Sequence, residues 1–363
     1  MSSSIYDLTL NDLEGLLASW NEPRYRADQI WQGLYLQLGD RPEQFSSLPR
    51  SLRDKLSQTF AQESSGSFST LSPKTVLESH DGGTRKTLFT LPDNRVLEAV
   101  LMRYERRRTL CISTQSGCAM GCVFCATGQM GFGRNLTSGE IVEQVLHYAR
   151  LLAKDNEKVT NVVIMGMGEP FHNYASTLAA IDRLSHPQGL NLGERRFTIS
   201  TVGLVPAIRR FTAEHRQINL AISLHAVDDE LRSSMLPINR KYPLSLLLEA
   251  CREYIAKTHR RISFEWSLIE GVNDTSEQAR KLSTWLKMLR QDGSLLVHVN
   301  AIPLNPTRNY QGKAASRQRA EIFKTTLESY GIPCTIRMRR GIEIQAGCGQ
   351  LAGQSLTTSM DPG

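Results

Sequence analysis

The 363-residue chain has no long hydrophobic run, no low-complexity tract and no short-period repeat. A helical membrane span needs about 18 consecutive apolar residues, so no membrane association is expected. Its first residues, "MSSSIYDLTLNDLEG", have neither the basic start nor the apolar stretch of a secretory signal, and the expected compartment is the cytoplasm. Cysteine is sparse and odd in number, seven in all, which argues against a disulfide framework in a long cytoplasmic chain. "MGMGEP" (165–170) has Gly166 and Gly168 but lacks the third glycine of a dinucleotide-binding turn.

Positive charge is present in excess. The formal net charge of +7 leans toward a polyanionic partner. Arginines gather in "RYERRR" (103–108), at Arg195 and Arg196, and at Arg337, Arg339 and Arg340. Arginine forks suit phosphate contacts, although each cluster alone reads first as a solvated face.

Apolar spacing divides the chain. Residues 1–80 read as a helical domain through "TLNDLEGLLASW", "RADQIWQGLYLQ" and "SLPRSLRDKLSQTF". Residues 81–110 change to strand alternation and form a linker into the larger C-terminal region. Over 111–349, short apolar strands alternate with helices of 10 to 15 residues about six times, ending at "CTIRMRR". That pattern predicts an α/β fold, an incomplete (β/α)6 barrel with its chemistry on the loops after the strands. Residues 350–363 read as a frayed tail.

The loop "GCAMGCVFCATG" (117–128) carries Cys118, Cys122 and Cys125. A structural zinc site takes four ligands, usually in two pairs, and only Cys122 and Cys125 make such a pair. A 4Fe-4S cluster with three protein thiolates leaves one iron open to a small chelating molecule.

C-x-x-x-C-x-x-C after the first strand of a partial barrel, with Phe124 before the last cysteine, resembles the radical S-adenosylmethionine enzymes. The resemblance implies that Cys118, Cys122 and Cys125 ligate one 4Fe-4S cluster with S-adenosylmethionine on the open iron. It also implies that Gly168 and Glu169 of "MGMGEP", Ser200, the run Ser223, Leu224 and His225, and Asn305 line the S-adenosylmethionine pocket. His225 taken singly is as well explained as a satisfied buried histidine.

"RRTLCISTQSGC", "NVVIMGMGEP", "LAISLHA", "PINRKY" and "CGQLAG" together are similar to a narrower group. These are the RNA methyltransferases that act on carbon 2 of adenine in 23S rRNA and in the anticodon loop of some tRNAs. The implied route methylates Cys348 with one S-adenosylmethionine and uses a second to make the radical that joins that carbon to adenine. Cys111 then resolves the adduct through a transient disulfide, with Glu98 as proton acceptor. The helical region 1–80 would help to bind RNA, flavodoxin or ferredoxin would supply electrons, and a monomer is expected. Cys251 and Cys334 read as small buried hydrophobes. Two other readings stay open: the sister activity at carbon 8 of adenine, and a non-catalytic iron-sulfur or zinc RNA-binding module.

Overall fold

The computed structural model describes residues 4–63 and 65–352. Three helices open it. α1 (Leu10–Ser19) begins at a capping box: the Asp12 N–H donates to the Thr9 hydroxyl, and the Thr9 N–H donates to the Asp12 carboxylate. α2 (Tyr25–Tyr35) and α3 (Arg50–Phe60) follow, and Leu13, Leu17, Trp31, Leu34, Leu52 and Leu56 enter one apolar cluster continuous with the barrel core.

β1 (Ser72–Glu78), β2 (Thr84–Thr90), β3 (Val96–Arg103) and β4 (Arg108–Cys111) then run antiparallel, each bonded to the next. β5 (Gln115–Gly117) and β6 (Phe132–Asn135) form a separate ribbon around the cysteine loop and the short α4 (Ala126–Gln129). After that the chain alternates: α5 (Ser138–Ala153), β7 (Asn161–Ile164), α6 (Tyr174–Ser185), β8 (Phe197–Thr201), α7 (Val205–Ala213) and β9 (Asn219–Ser223). It continues through α8 (Asp229–Met235), α9 (Leu244–Thr258), β10 (Ile262–Leu268), α10 (Ser276–Lys287), β11 (Val297–Pro303), α11 (Arg317–Ser329) and β12 (Cys334–Ile336).

β4 and β7 to β12 are parallel neighbours in chain order, because each strand returns through a helix. With β1 to β3 they make one sheet of ten strands whose edges are β1 and β12. The expected partial barrel is there, and no helix among the described residues is long and apolar enough to cross a membrane.

The helical region is tied down by two carboxylates. Asp7 receives the Gly139 N–H (2.7 Å) and the Ser138 hydroxyl (2.9 Å) at the first turn of α5, where a negative charge complements the helix dipole. Glu143, buried further along α5, accepts from the Ser69 hydroxyl (2.6 Å), the Thr70 N–H (2.7 Å) and the Thr70 hydroxyl (2.8 Å). Burial still pushes its carboxyl above the usual range.

Two local expectations need correction. Helix does not extend to residue 80, since β1 occupies Ser72–Glu78. Most of that strand is exposed, so it carries no clear apolar alternation, and its Pro73 suits an edge. The expected fraying at residue 350 is also absent: Leu351 is buried, and its carbonyl accepts from the Thr127 hydroxyl at 2.6 Å. Residues 353–363 of the expected tail lie outside the described residues.

Candidate active site

The cysteine loop is held by backbone geometry. Gly117 has φ +82°, and a Cβ there would sit 2.1 Å from the Gly131 carbonyl oxygen, the oxygen that accepts the Cys118 N–H at 2.8 Å. Cys118 and Cys122 are buried, Cys125 is half-buried, and an apolar cluster with Met120, Phe124, Met235 and Leu304 surrounds them. All three thiols line one cavity of about 990 Å³ at the C-terminal ends of the barrel strands.

The other walls come from strand-end turns. Gly168 has φ +103°, and a Cβ there would stand 2.6 Å from the Gln115 Cβ, so only glycine fits. This turn buries Glu169, whose carboxylate accepts from the Phe171 N–H (3.0 Å) and the Val202 N–H (2.9 Å). Burial pushes that carboxyl up to about 7. The Ser200 and Ser223 hydroxyls are 3.3 Å apart on adjacent strands. His225 accepts the Ser267 N–H through Nδ1 (2.9 Å), while burial and the Arg232 charge lower its pKa to about 3. The ring is therefore neutral with its proton on Nε2, and it meets Phe124 edge-on at 5.0 Å.

Cys348 stands where this cavity meets a second, of about 1440 Å³. Cys125, Glu265, Asn305 and Cys348 line both. Cys348 is open to the cavity space but enclosed by the barrel, and burial beside Glu265 raises its thiol to about 11. Its carbonyl accepts from Asn305 Nδ2 at 3.0 Å. Cys111, on β4, lines the second cavity, and burial together with the nearby Cys348 raises its thiol as well.

Arg107, Arg196, Arg337, Arg339 and Arg340 line this second cavity, and the Arg107 and Arg340 guanidinium groups both stand over the Tyr104 ring, 5.4 and 4.7 Å from its centroid. The other arginines of the first cluster divide. Arg103 and Arg108 pair with Glu157, whereas Arg106 is exposed.

Two of the expected residues stand apart from both linings. Leu224 is buried in the core, and its carbonyl accepts from Arg232 Nε at 3.1 Å. Glu98 pairs with Lys86 at 3.0 Å, both groups almost fully buried, and accepts the Ala352 N–H at 2.9 Å. Cys251 and Cys334 are buried free thiols.

Sequence reasoning missed Glu265 and Arg232. A lone carboxylate inside the buried strand "ISFEWSLI" was the available signal for the first. Arg232 left no such signal. From α8 it donates to the carbonyls of Val202 (2.7 Å) and Ser223 (3.2 Å) and to Asn239 (2.7 Å), which braces two strand-end turns against the turn that follows α8.

An iron-sulfur cluster with bound S-adenosylmethionine fits this donor set. Burial holds Cys118 at about 12 and Cys122 well above its usual value, so these thiols ionise only against bound cationic metal. No three His, Cys, Asp or Glu side chains converge as ligands of a single ion among the described residues. A four-iron cluster asks for something else, since each thiolate meets a different iron. Asn305 Oδ1, buried without a hydrogen-bond donor, leaves an acceptor free in the shared wall.

Comparison with known proteins agrees with this architecture. Residues 112–282 match the Radical SAM superfamily, and residues 3–61 match the ribosomal RNA large subunit methyltransferase N-terminal domain. The chain is 49% identical to a protein of Chloroflexus aurantiacus named a probable dual-specificity RNA methyltransferase RlmN, over 96% of this chain and 93% of that one. It is 46% identical to dual-specificity RNA methyltransferase RlmN 1 of Myxococcus xanthus, over 96% and 94%. A crystal structure of a radical SAM methyltransferase from Sphaerobacter thermophilus superposes with a TM-score of 0.91 at 46% identity, covering 97% of this chain and 99% of that one. Radical SAM enzymes use a 4Fe-4S cluster and S-adenosylmethionine, and the matches in both parts of the chain, with relatives along nearly its whole length, lead to one conclusion: it belongs to the dual-specificity RNA methyltransferases of the radical SAM superfamily.

Proposed function

We propose that the chain methylates carbon 2 of an adenine in 23S rRNA and of an adenine in the tRNA anticodon loop, consuming two S-adenosylmethionine molecules per methyl group. The observation that carries this reading is Cys348 at the junction of two cavities, with the three-cysteine loop on one side and Cys111 on the other. Adenine carbon 2 has no lone pair with which to attack a sulfonium, so an ordinary methyl transfer to it fails.

The cluster that Cys118, Cys122 and Cys125 would hold, with S-adenosylmethionine on its open iron, supplies the electron that makes the initiating radical. The remaining roles belong to the chain. Gly168, Glu169, Ser200, Ser223 and His225 would seat S-adenosylmethionine, with Leu224 acting through its backbone. Asn305 would orient the Cys348 segment through the Cys348 carbonyl. Cys348 would first carry the methyl group as a thioether and then tether the RNA through that carbon. The Cys111 thiolate would attack the Cys348 sulfur, forming the S–S bond while the S–C bond breaks with its pair passing to the RNA carbon, which takes up a proton to become the methyl group, and an external dithiol would return both cysteines.

Glu98 is proposed as acceptor of the proton leaving the adenine carbon. Its support is the bond from the Ala352 N–H, which ties it to the Cys348 segment. The arginines of the second cavity would take the phosphates beside the target base, assisted by the helical region. A cytoplasmic monomer reduced by flavodoxin or ferredoxin completes the reading. Reconstituted protein, reductant, S-adenosylmethionine and short ribosomal and anticodon-loop RNAs, followed by nucleoside mass spectrometry, should yield 2-methyladenine. Methyl found on carbon 8 would move the assignment to the sister activity, and no modified adenine would refute it.

A further inference from the structure

Glu265 occupies a costly position. It lies on β10, in the interior of the parallel sheet, with Ser223 of β9 and Asn300 of β11 as its register partners. It is only 6% exposed, and a carboxylate there needs compensation that an apolar residue would not. The compensation is partial. Asn300 Nδ2 donates to Oε1 at 2.7 Å, and no protein donor reaches Oε2 among the described residues. The residue borders both cavities, as does Cys348. Burial raises both groups above their ordinary values, and Arg337, which lines the second cavity, acts on each in the opposite sense.

We propose that the Glu265 carboxylate is the base that removes the Cys348 thiol proton, so that the sulfur attacks the methyl group of the first S-adenosylmethionine. This inference rests on the methylcysteine reading proposed for Cys348 and supplies the step that reading leaves without a residue. The S–H bond breaks and its proton passes to Glu265 Oε2. The sulfur electron pair forms the bond to the methyl carbon, and the carbon–sulfonium bond breaks with its pair staying on S-adenosylhomocysteine. The carboxylate charge and the sulfonium charge are lost together, and nothing is oxidised or reduced. A thiol needs such a base near neutral pH, because only the thiolate is nucleophilic at sulfur. The Asn300 bond turns Glu265 into a fixed acceptor rather than a swinging one.

The test separates this from a structural role and from the parent reading. Cluster-loaded protein with unmethylated Cys348 is mixed with saturating S-adenosylmethionine and no reductant, and methylation of the Cys348 peptide is followed by mass spectrometry. Glu265→Gln should slow the transfer by about 100-fold or more at unchanged cluster absorbance, with Glu265→Asp recovering part of the rate. Transfer at the parent rate overturns the inference, and so does a variant that only binds S-adenosylmethionine more weakly and reaches the parent rate at saturation. In a second arm, iodoacetamide alkylates Cys348 with no cofactor present. If Glu265 assists as a base, Glu265→Gln slows alkylation; if it merely repels the thiolate, removing its charge speeds alkylation and the inference fails. Should Glu265→Gln fold poorly, Asn300→Ala frees the carboxylate from its tether. A loss of about tenfold in methyl transfer is then expected, and no loss overturns the inference. Parent protein that never methylates Cys348 refutes the methylcysteine reading itself, which the alkylation arm does not depend on.

Discussion

The two cysteine-bearing segments that meet at the first cavity are built in opposite ways. The loop with Cys118, Cys122 and Cys125 is wedged in place: its backbone bonds to Gly131 and Met235, Gly117 and Gly128 leave no room for a Cβ, and apolar side chains pack around it. The segment with Cys348 is strung across the gap in the sheet by polar tethers, from Asn305 to the Cys348 carbonyl, from the Ala126 N–H to the Gly349 carbonyl and from Lys86 to the Gln345 carbonyl. Gly347 and Gly349 flank its cysteine. On the proposed route a donor of electrons has to stay at a fixed place, whereas the Cys348 sulfur would meet a methyl donor and then a nucleobase and would have to turn between two cavities. Packing serves the first need and tethering the second.

The difference is broken most severely through its cysteines. Cys118→Ala should abolish both the brown cluster absorbance and RNA methylation, because the loop would then offer a four-iron cluster only two thiolates. Cys348→Ala should abolish methylation just as fully while the absorbance stays at the parent level. A Cys348→Ala protein that loses its cluster would mean that the two segments are not separable. Cys111→Ala is milder in a telling way: carbon addition should proceed and release should fail, so the protein purifies with RNA joined to Cys348 through one added carbon. Peptide mass spectrometry reads this directly, and normal turnover in that variant would remove Cys111 from the mechanism.

The fixed segment is also the one the sequence discloses. Three cysteines at spacings of four and three stay together however the chain folds, and strand-end motifs such as "MGMGEP" and "SLHA" fall at one end of a parallel sheet as soon as the βα alternation is recognised. The strap is less legible because its partners are remote in sequence. Nothing in "RKTLF" and "RVLEAVL" announces that Lys86 and Glu98 pair in the interior and hold residues 345 and 352. Glu265 was hidden for the same reason, since Asn300 and Cys348 come to it only through the barrel. β1 was missed because an exposed edge strand has no buried face to impose alternation.

A smaller break targets the strap alone. Lys86→Met leaves the Glu98 carboxylate buried without its counter-charge, a loss of about 3–5 kcal/mol in urea unfolding. Under native conditions the consequence should be local to Cys348, whose alkylation by iodoacetamide should accelerate while cluster absorbance is retained. The double variant Lys86→Met, Glu98→Leu removes both charges and should regain most of the stability. If the single variant loses the cluster and leaves Cys348 alkylation unchanged, the buried pair supports the packed loop rather than the strap.

The smallest effect belongs to the fixed side and is read by pH. Neutral His225 accepts the Ser267 N–H at Nδ1 and packs on Phe124, so a proton at Nδ1 would destroy that bond and place a charge near Arg232. Its pKa is about 3 in the folded protein against an ordinary value of 6.5, so below 6.5 the unfolded chain takes up the proton that the folded chain refuses. The stability linked to this residue is therefore complete above pH 6.5 and declines as pH falls toward 3, by at most about 1.4 kcal/mol per pH unit for a single proton. Other groups titrate in the same range, His147 among them with a pKa lowered to about 4, so the measurement is a difference between parent protein and His225→Gln. A glutamine side-chain oxygen can still accept from Ser267, and the variant should unfold with a shallower slope between pH 4 and 6. Equal slopes would mean that folding does not lower the His225 pKa, so that the ring takes up its proton in the folded protein over this range, at the cost of the Ser267 bond to Nδ1.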